Sequence, residues 1–166
     1  MKKQNVYVGN CSINGIYQYE LKKGNLIKVN STNDFKRCTY LVNSDKNLYG
    51  VLEIQDKENN NCGYIVSYKK SNRNLILIDK KTSYGKNPCH IEIDKNNNLL
   101  FISNYGDGNF TVFKLNEDGT IREKVFSKIE DEEKSHMHCV KMSNDNKFLF
   151  AVDLGKDVVI VYEIEK

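Results

Sequence analysis

The stretch "LFISNYGDGNFTVFKL", Leu100–Leu115, returns 49 residues later as "LFAVDLGKDVVIVYEI", Leu149–Ile164. Both copies run from a short apolar core through a polar turn with Gly and Asp into a second run rich in Val, Ile, Phe and Tyr. Such a pair reads as two antiparallel β-strands joined by a loop. An earlier copy has "LYGVLE" from Leu48 as its core and "GYIVSYK" from Gly63 as its second strand. Tyr19, Tyr68, Phe113 and Tyr162 fall in register along these second strands, 49, 45 and 49 residues apart. A period of this length decides the architecture before any single residue does.

Two further strands complete each unit. One follows a Gly- or Asn-containing turn, as in "KKGNLIKV", "SNRNLILI" and "EDGTIREKV", and another precedes the core, as in "CTYLVNS", "CHIEID" and "HCVKMS". Four strands, A to D, in 45 to 52 residues are the sequence form of a β-propeller blade. The chain is therefore expected to be all-β: about three and a half four-stranded antiparallel blades in a single partial β-propeller domain, 1–166. The blade units are about 1–30 (strands B to D), 36–80, 88–128 and 137–166 (strands A to C), fourteen strands in all. An arc of this kind leaves apolar blade faces open at its ends. One segment has a helical spacing, with Ile121, Val125 and Ile129 four apart in "TIREKVFSKIEDEEK"; the repeat frame makes its first half strand D, and the rest reads as a long loop.

Composition narrows the function. Basic and acidic residues, 25 and 22 of 166, are mixed along the chain, so there is no basic stripe for a phosphate backbone, and nucleic acid is not an expected partner. No apolar run of membrane-spanning length occurs, and "MKKQNVYVGN" forms no signal-peptide core, so neither membrane nor export is expected. Five cysteines (Cys11, Cys38, Cys62, Cys89, Cys139) without a C-x-x-C pair fit reduced thiols and a cytoplasmic location.

The stretches "VYVGN", "GIYQYEL", "LYGVLE", "NPCHIEID", "LFISNYGDGNFTVFKLNEDG" and "HMHCVKMSNDNKFLFAVDLGKDVVIVYEI" make the chain resemble the lactonase family of seven-bladed propellers. That family holds cycloisomerase-type 6-phosphogluconolactonases and their muconate-lactonising relatives. The resemblance covers the N-terminal half of the family fold. It implies a 6-phosphogluconolactonase-like hydrolase acting on a small-molecule lactone or sugar-acid substrate, without metal or cofactor. It also implies that a homodimer, or a missing C-terminal half, completes the ring. A non-catalytic propeller binding module, or a remnant of a lactonase, is the alternative.

Alternating strand direction places the loop entering strand A and the loop joining B to C on one rim. "NPCH" (Asn87–His90), "SHMH" (Ser135–His138), "NYGDG" (Asn104–Gly108) and "DLGKD" (Asp153–Asp157) should meet there. His136 and His138 stand two apart, so both can face the channel as acid, base or carboxylate binder, as structural groups, or as two of the ligands of a metal whose others no spacing supplies. They are the candidate catalytic pair, with no metal expected. His90, Asn104, Tyr105, Asp153 and Glu53 are the candidate substrate contacts; His90 equally fits an inner-ring hydrogen bond, and Asn104 and Asp153 fit caps on loop backbone better than substrate contacts. Lys86, Arg37, Lys141 and Lys156 are the cations available for an acidic substrate.

Overall fold

The computed structural model describes residues 4–12, 15–94 and 98–164. The turn "KNN" at 95–97, part of the polar turn before one repeat core, lies outside them, as do the chain ends at 1–3 and 165–166.

Among the described residues, fourteen strands form four antiparallel sheets. The first holds β1 (Gln4–Val8), β2 (Tyr17–Lys22) and β3 (Asn25–Ser31). The second holds β4 (Cys38–Asn43), β5 (Asn47–Asp56), β6 (Cys62–Ser71) and β7 (Asn74–Thr82). The third holds β8 (Pro88–Asp94), β9 (Leu99–Asn104), β10 (Asn109–Leu115) and β11 (Ile121–Ile129). The fourth holds β12 (Met137–Met142), β13 (Phe148–Asp153) and β14 (Val158–Glu163). Each sheet is a meander in which neighbours in sequence pair in space, so the expected B–C–D, A–B–C–D, A–B–C–D, A–B–C series is the one observed.

Tyr68, Phe113 and Tyr162 sit opposite Leu48, Leu100 and Leu149, the first residues of the repeat cores. Side chains alternate between the faces of a strand, so one face of each sheet packs on the preceding sheet and the other on the following one. Leu48, Val66 and Tyr68 turn towards the first sheet, where Tyr7 and Ile16 meet them. Tyr49, Val51 and Ile65 turn the other way onto Ile91, Leu100, Ile102 and Phe113 of the third sheet. Phe101, Phe110 and Val112 then pack on Met137, Val140, Leu149 and Ala151 of the fourth. The A strands β4, β8 and β12 lie side by side, with β8 between the other two.

The register carries the repeat more finely than the sequence pattern does. Each A strand has one extra residue at the same place: Thr39, Cys89 and His138 have no partner, while the residues on either side pair with consecutive residues of strand B. Such β-bulges sharpen the local twist and re-aim side chains. Each D strand is bulged as well, at Val29, Ile78 and Val125. This explains the helix-like segment after Thr120. Strand β11 continues to Ile129, beyond the half expected of it, and two register shifts along it break the two-residue alternation that would mark a strand.

Candidate functional site

The loops expected on one rim do meet there, joined by backbone hydrogen bonds that recur from sheet to sheet. The N–H groups of Glu53, Tyr105 and Leu154 donate to the carbonyls of Arg37 (3.0 Å), Asn87 (3.1 Å) and His136 (3.0 Å). Glu53, Tyr105 and Leu154 are thus equivalent positions, as are Arg37, Asn87 and His136. Glu53 lies within β5, which continues to Asp56, and holds the place that Tyr105 holds one blade on.

Tyr105, from the third sheet, lies between the two histidines of the fourth. Its ring stacks on His136 with centroids 4.6 Å apart and planes at 13°, and it meets His138 edge-on at 6.0 Å. The Tyr105 carbonyl lies 3.1 Å from His136 Nδ1. A carbonyl only accepts, so Nδ1 carries the proton and Nε2 of the neutral ring keeps its lone pair. The His136 backbone N–H donates to Asp153 Oδ1 (2.8 Å), which also accepts from the Gly155 N–H (3.1 Å). His136 precedes β12 and is half-buried, whereas His138 is the exposed bulge residue. The bulge makes their relation differ from plain alternation, and Tyr105 brings both imidazoles to one place.

Glycine makes the close packing possible. Gly108 has φ +65°, and a Cβ there would come within 2.2 Å of the Ser135 carbonyl, one residue before His136. A Cβ on Gly155 would meet the Lys134 carbonyl at 1.9 Å.

Asn104 and Asp153 end β9 and β13 at equivalent positions and are fully buried. Asn104 Nδ2 donates to the Ser83 carbonyl (3.4 Å), and Asp153 holds the His136 and Gly155 amides. Both side chains therefore act on backbone, while Asn104 Oδ1 and Asp153 Oδ2 are buried without a hydrogen-bond partner.

His90 lies deeper, where it ties three sheets together. Its ring is 4.3 Å from that of Tyr40, and its Nδ1 accepts from the Val140 N–H at 3.4 Å, so the proton of the neutral ring is on Nε2. Burial, followed by the charge of Lys141 and by His138, pushes the His90 pKa down to about 4, so it is neutral at physiological pH. Beside it, Lys141 Nζ and Glu92 pair at 2.8 Å. Cys89, the bulge residue of β8, donates its S–H towards the His138 carbonyl (3.4 Å); burial, and secondarily Glu53, push its pKa up to about 12.

Three of the four candidate cations already have carboxylate partners: Arg37 with Glu53 (3.5 Å), Lys86 with Asp107 (2.9 Å) and Lys141 with Glu92. Lys156, exposed in the turn after β13, has none among the described residues. Sequence reasoning did not single out Tyr40 or Glu92; the place Tyr40 shares with His90 and Cys139 in the A-strand register was the available signal. Among the described residues, no three His, Cys, Asp or Glu side chains gather in a way that could hold a metal ion, and no helix is long and apolar enough to cross a membrane.

The family model described as "Lactonase, 7-bladed beta-propeller" matches residues 5–166. The chain belongs to the lactonase family. Among similar proteins are the 6-phosphogluconolactonase of Formosa agariphila, 28% identical over 161 residues, and that of Bacillus subtilis, 27% identical over 162 residues. The matches take in 90% and 91% of this chain but 45% and 46% of those proteins, so the chain spans about half their length. The periplasmic gluconolactonase of Pseudomonas aeruginosa superposes with a TM-score of 0.84 at 22% identity, over 98% of this chain and 50% of that one. A protein from Lactobacillus plantarum superposes with a TM-score of 0.85 at 24% identity, over 99% and 50%. These structures share the fold: this lactonase-family chain has the architecture of half a propeller.

Proposed function

We propose that the chain contributes half of the site of a 6-phosphogluconolactonase-like enzyme that opens a sugar-acid lactone without a metal ion, the rest of the site lying on the part of the ring it does not span. The observation that carries this reading is the fixed tautomer of His136. With Nδ1–H committed to the Tyr105 carbonyl, Nε2 is the base that takes a proton from water. The water oxygen bonds to the lactone carbonyl carbon, the ring C–O bond breaks, and the departing alkoxide recovers a proton from the imidazolium to give the hydroxy acid. His138, exposed beside the same tyrosine, donates an N–H to the carbonyl oxygen as negative charge develops on it. The relatives named 6-phosphogluconolactonase support this substrate class.

The test is hydrolysis of 6-phosphogluconolactone, measured with the chain alone and with a complementary half supplied. His136→Ala should lower the rate by about 10²–10⁴, the usual scale for a lost general base, without changing the far-ultraviolet β signal. Unchanged rates in both His136→Ala and His138→Ala sink the assignment. A well-folded ring with no turnover would favour a binding module, a reading to which the pairing of Arg37, Lys86 and Lys141 with carboxylates lends some weight.

A further inference from the structure

The turn from β7 into β8 holds an exposed aromatic residue in a conformation that side chains resist. Tyr84 has φ +55° and is 48% exposed. A bulky residue stays in the left-handed region only where its surroundings over-determine it, and here they do. The Ser83 N–H donates to the Gly63 carbonyl (3.0 Å), the Ser83 carbonyl accepts from Thr111 Oγ1 (3.0 Å), and the Tyr84 carbonyl accepts from Asn109 Nδ2 (3.0 Å). A Cβ on the next residue, Gly85, would lie 2.4 Å from Asn104 Cγ. The repeat does not demand this strain, since Asn33, at the equivalent place after β3, has no positive φ.

The Tyr84 ring leans on Phe113, with centroids 6.0 Å apart, and walls a cavity of about 460 Å³ between the D strands β7 and β11. Lys81 and Thr82 of β7 line it from one side, and Arg122, Glu123 and Lys124 of β11 from the other. Three cations thus share one carboxylate. Arg122 Nε pairs with Glu123 (3.3 Å), on which Lys114 also draws at 3.9 Å. Lys81 Nζ is held by the Arg122 carbonyl (3.1 Å) and Lys124 Nζ by the face of the Tyr84 ring (4.2 Å to its centroid). Neither lysine has a carboxylate partner among the described residues, and at an exposed site a ring face holds an ammonium group only weakly. Two positive charges are therefore left uncompensated beside an aromatic wall. The D strands stand at the edge of each sheet opposite the A strands, so this cavity is separate from the place where Tyr105 meets His136 and His138.

We propose that this cavity binds a small organic phosphate, its phosphoryl oxygens on Lys81, Arg122 and Lys124 and its carbon part against Tyr84. A phosphate monoester brings close to two negative charges and three strong acceptor oxygens, and charge-assisted bonds to them outweigh a carbonyl or a ring as partners for the two lysines. The volume is that of a pocket for a whole small ligand and exceeds what a bare ion needs. Glycine or asparagine would hold the turn with less strain, so the ring at this place is explained by what it touches. The inference does not rest on lactone hydrolysis, and its readout is binding, so either can fail without the other.

The experiment titrates phenyl phosphate, phenol and inorganic phosphate separately into the chain at low salt, followed by nuclear magnetic resonance. Phenyl phosphate should shift the Tyr84 ring and the amides of β7 and β11 with a Kd below about 1 mM, inorganic phosphate should bind at least tenfold more weakly, and phenol should shift nothing at about 10 mM. Lys81→Gln and Lys124→Gln should each weaken phenyl phosphate about three- to tenfold. Glu123→Gln should tighten it, and Lys147→Gln, exposed in the turn before β13, should leave it unchanged. Tyr84→Asn should raise the urea midpoint while lowering the affinity, which separates a ring kept for binding from one kept for folding. Inorganic phosphate binding as tightly as phenyl phosphate, shifts confined to other strands, or an affinity indifferent to both lysine substitutions overturns the proposal.

Discussion

The Tyr105 ring stacks on the His136 imidazole while the carbonyl of the same residue takes the His136 Nδ1 proton, so one residue fixes both the plane and the tautomer of that histidine. His90 is held the opposite way, with Nδ1 accepting from Val140. Nitrogen-15 shifts of the neutral side chains should therefore show protonated Nδ1 for His136 and protonated Nε2 for His90. Tyr105→Ala keeps the carbonyl but removes the stacking, which is worth about 0.5–1.5 kcal/mol, and should broaden the His136 signals.

Stability should fall with acid through His90. Its folded pKa of about 4 lies below the unfolded value near 6.5, so between these limits the unfolded chain binds more protons. The stabilisation is complete above about pH 6.5 and is lost progressively as pH drops towards 4. His90→Gln should flatten that part of a urea-midpoint profile; an unaltered slope would show that other groups cause it.

Thiol reactivity should separate the cysteines. Cys11 is exposed, whereas burial pushes both Cys38 and Cys89 up to about 12 and leaves them as inert thiols at neutral pH. Brief alkylation of the native chain, read by peptide mass, should modify Cys11 and spare Cys38 and Cys89 until denaturant is added.

Equivalent phenylalanines should differ in weight. Phe101 and Phe150 hold the same repeat position, yet one is 1% and the other 38% exposed, because only Phe101 has a following sheet to pack on. Phe101→Ala should cost about 3–5 kcal/mol in urea unfolding and Phe150→Ala about 1 kcal/mol or less. Comparable losses would mean that the open face is already covered in solution.

The Gly108 position is a sensitive link between the third sheet and the histidine loop. At φ +65° with the Ser135 carbonyl in the way, Gly108→Ala should destabilise by about 1–3 kcal/mol and shift the His136 signals more than those of His90.

The repeat frame was legible because period and chemistry agree: Tyr68, Phe113 and Tyr162 do occupy equivalent places, and the strand series follows from them. The rim was legible because strand direction alternates, which gathered "NPCH", "SHMH", "NYGDG" and "DLGKD" without any contact being known. The length of β11 was not, since bulges shift side-chain parity and leave an apolar spacing that a helix would also show. The backbone-capping roles of Asn104 and Asp153 were legible too, because short polar side chains just after a strand core turn readily to loop backbone. The pairing of Arg37 with Glu53 depends on the residue before β4 meeting the middle of β5, an approach that no local pattern encodes.

The repeated bulge in strand A gives each blade one position outside the pairing ladder. Thr39, Cys89 and His138 occupy it in turn, a hydroxyl, a thiol and an imidazole, with the same register resuming after each. Because the ladder does not read that residue, strand pairing does not fix its identity, and Cys89 uses the position to reach the His138 carbonyl of the next blade. The scaffold thereby separates what must stay constant for folding from what can vary for chemistry, and new specificities can arise around the channel one blade at a time.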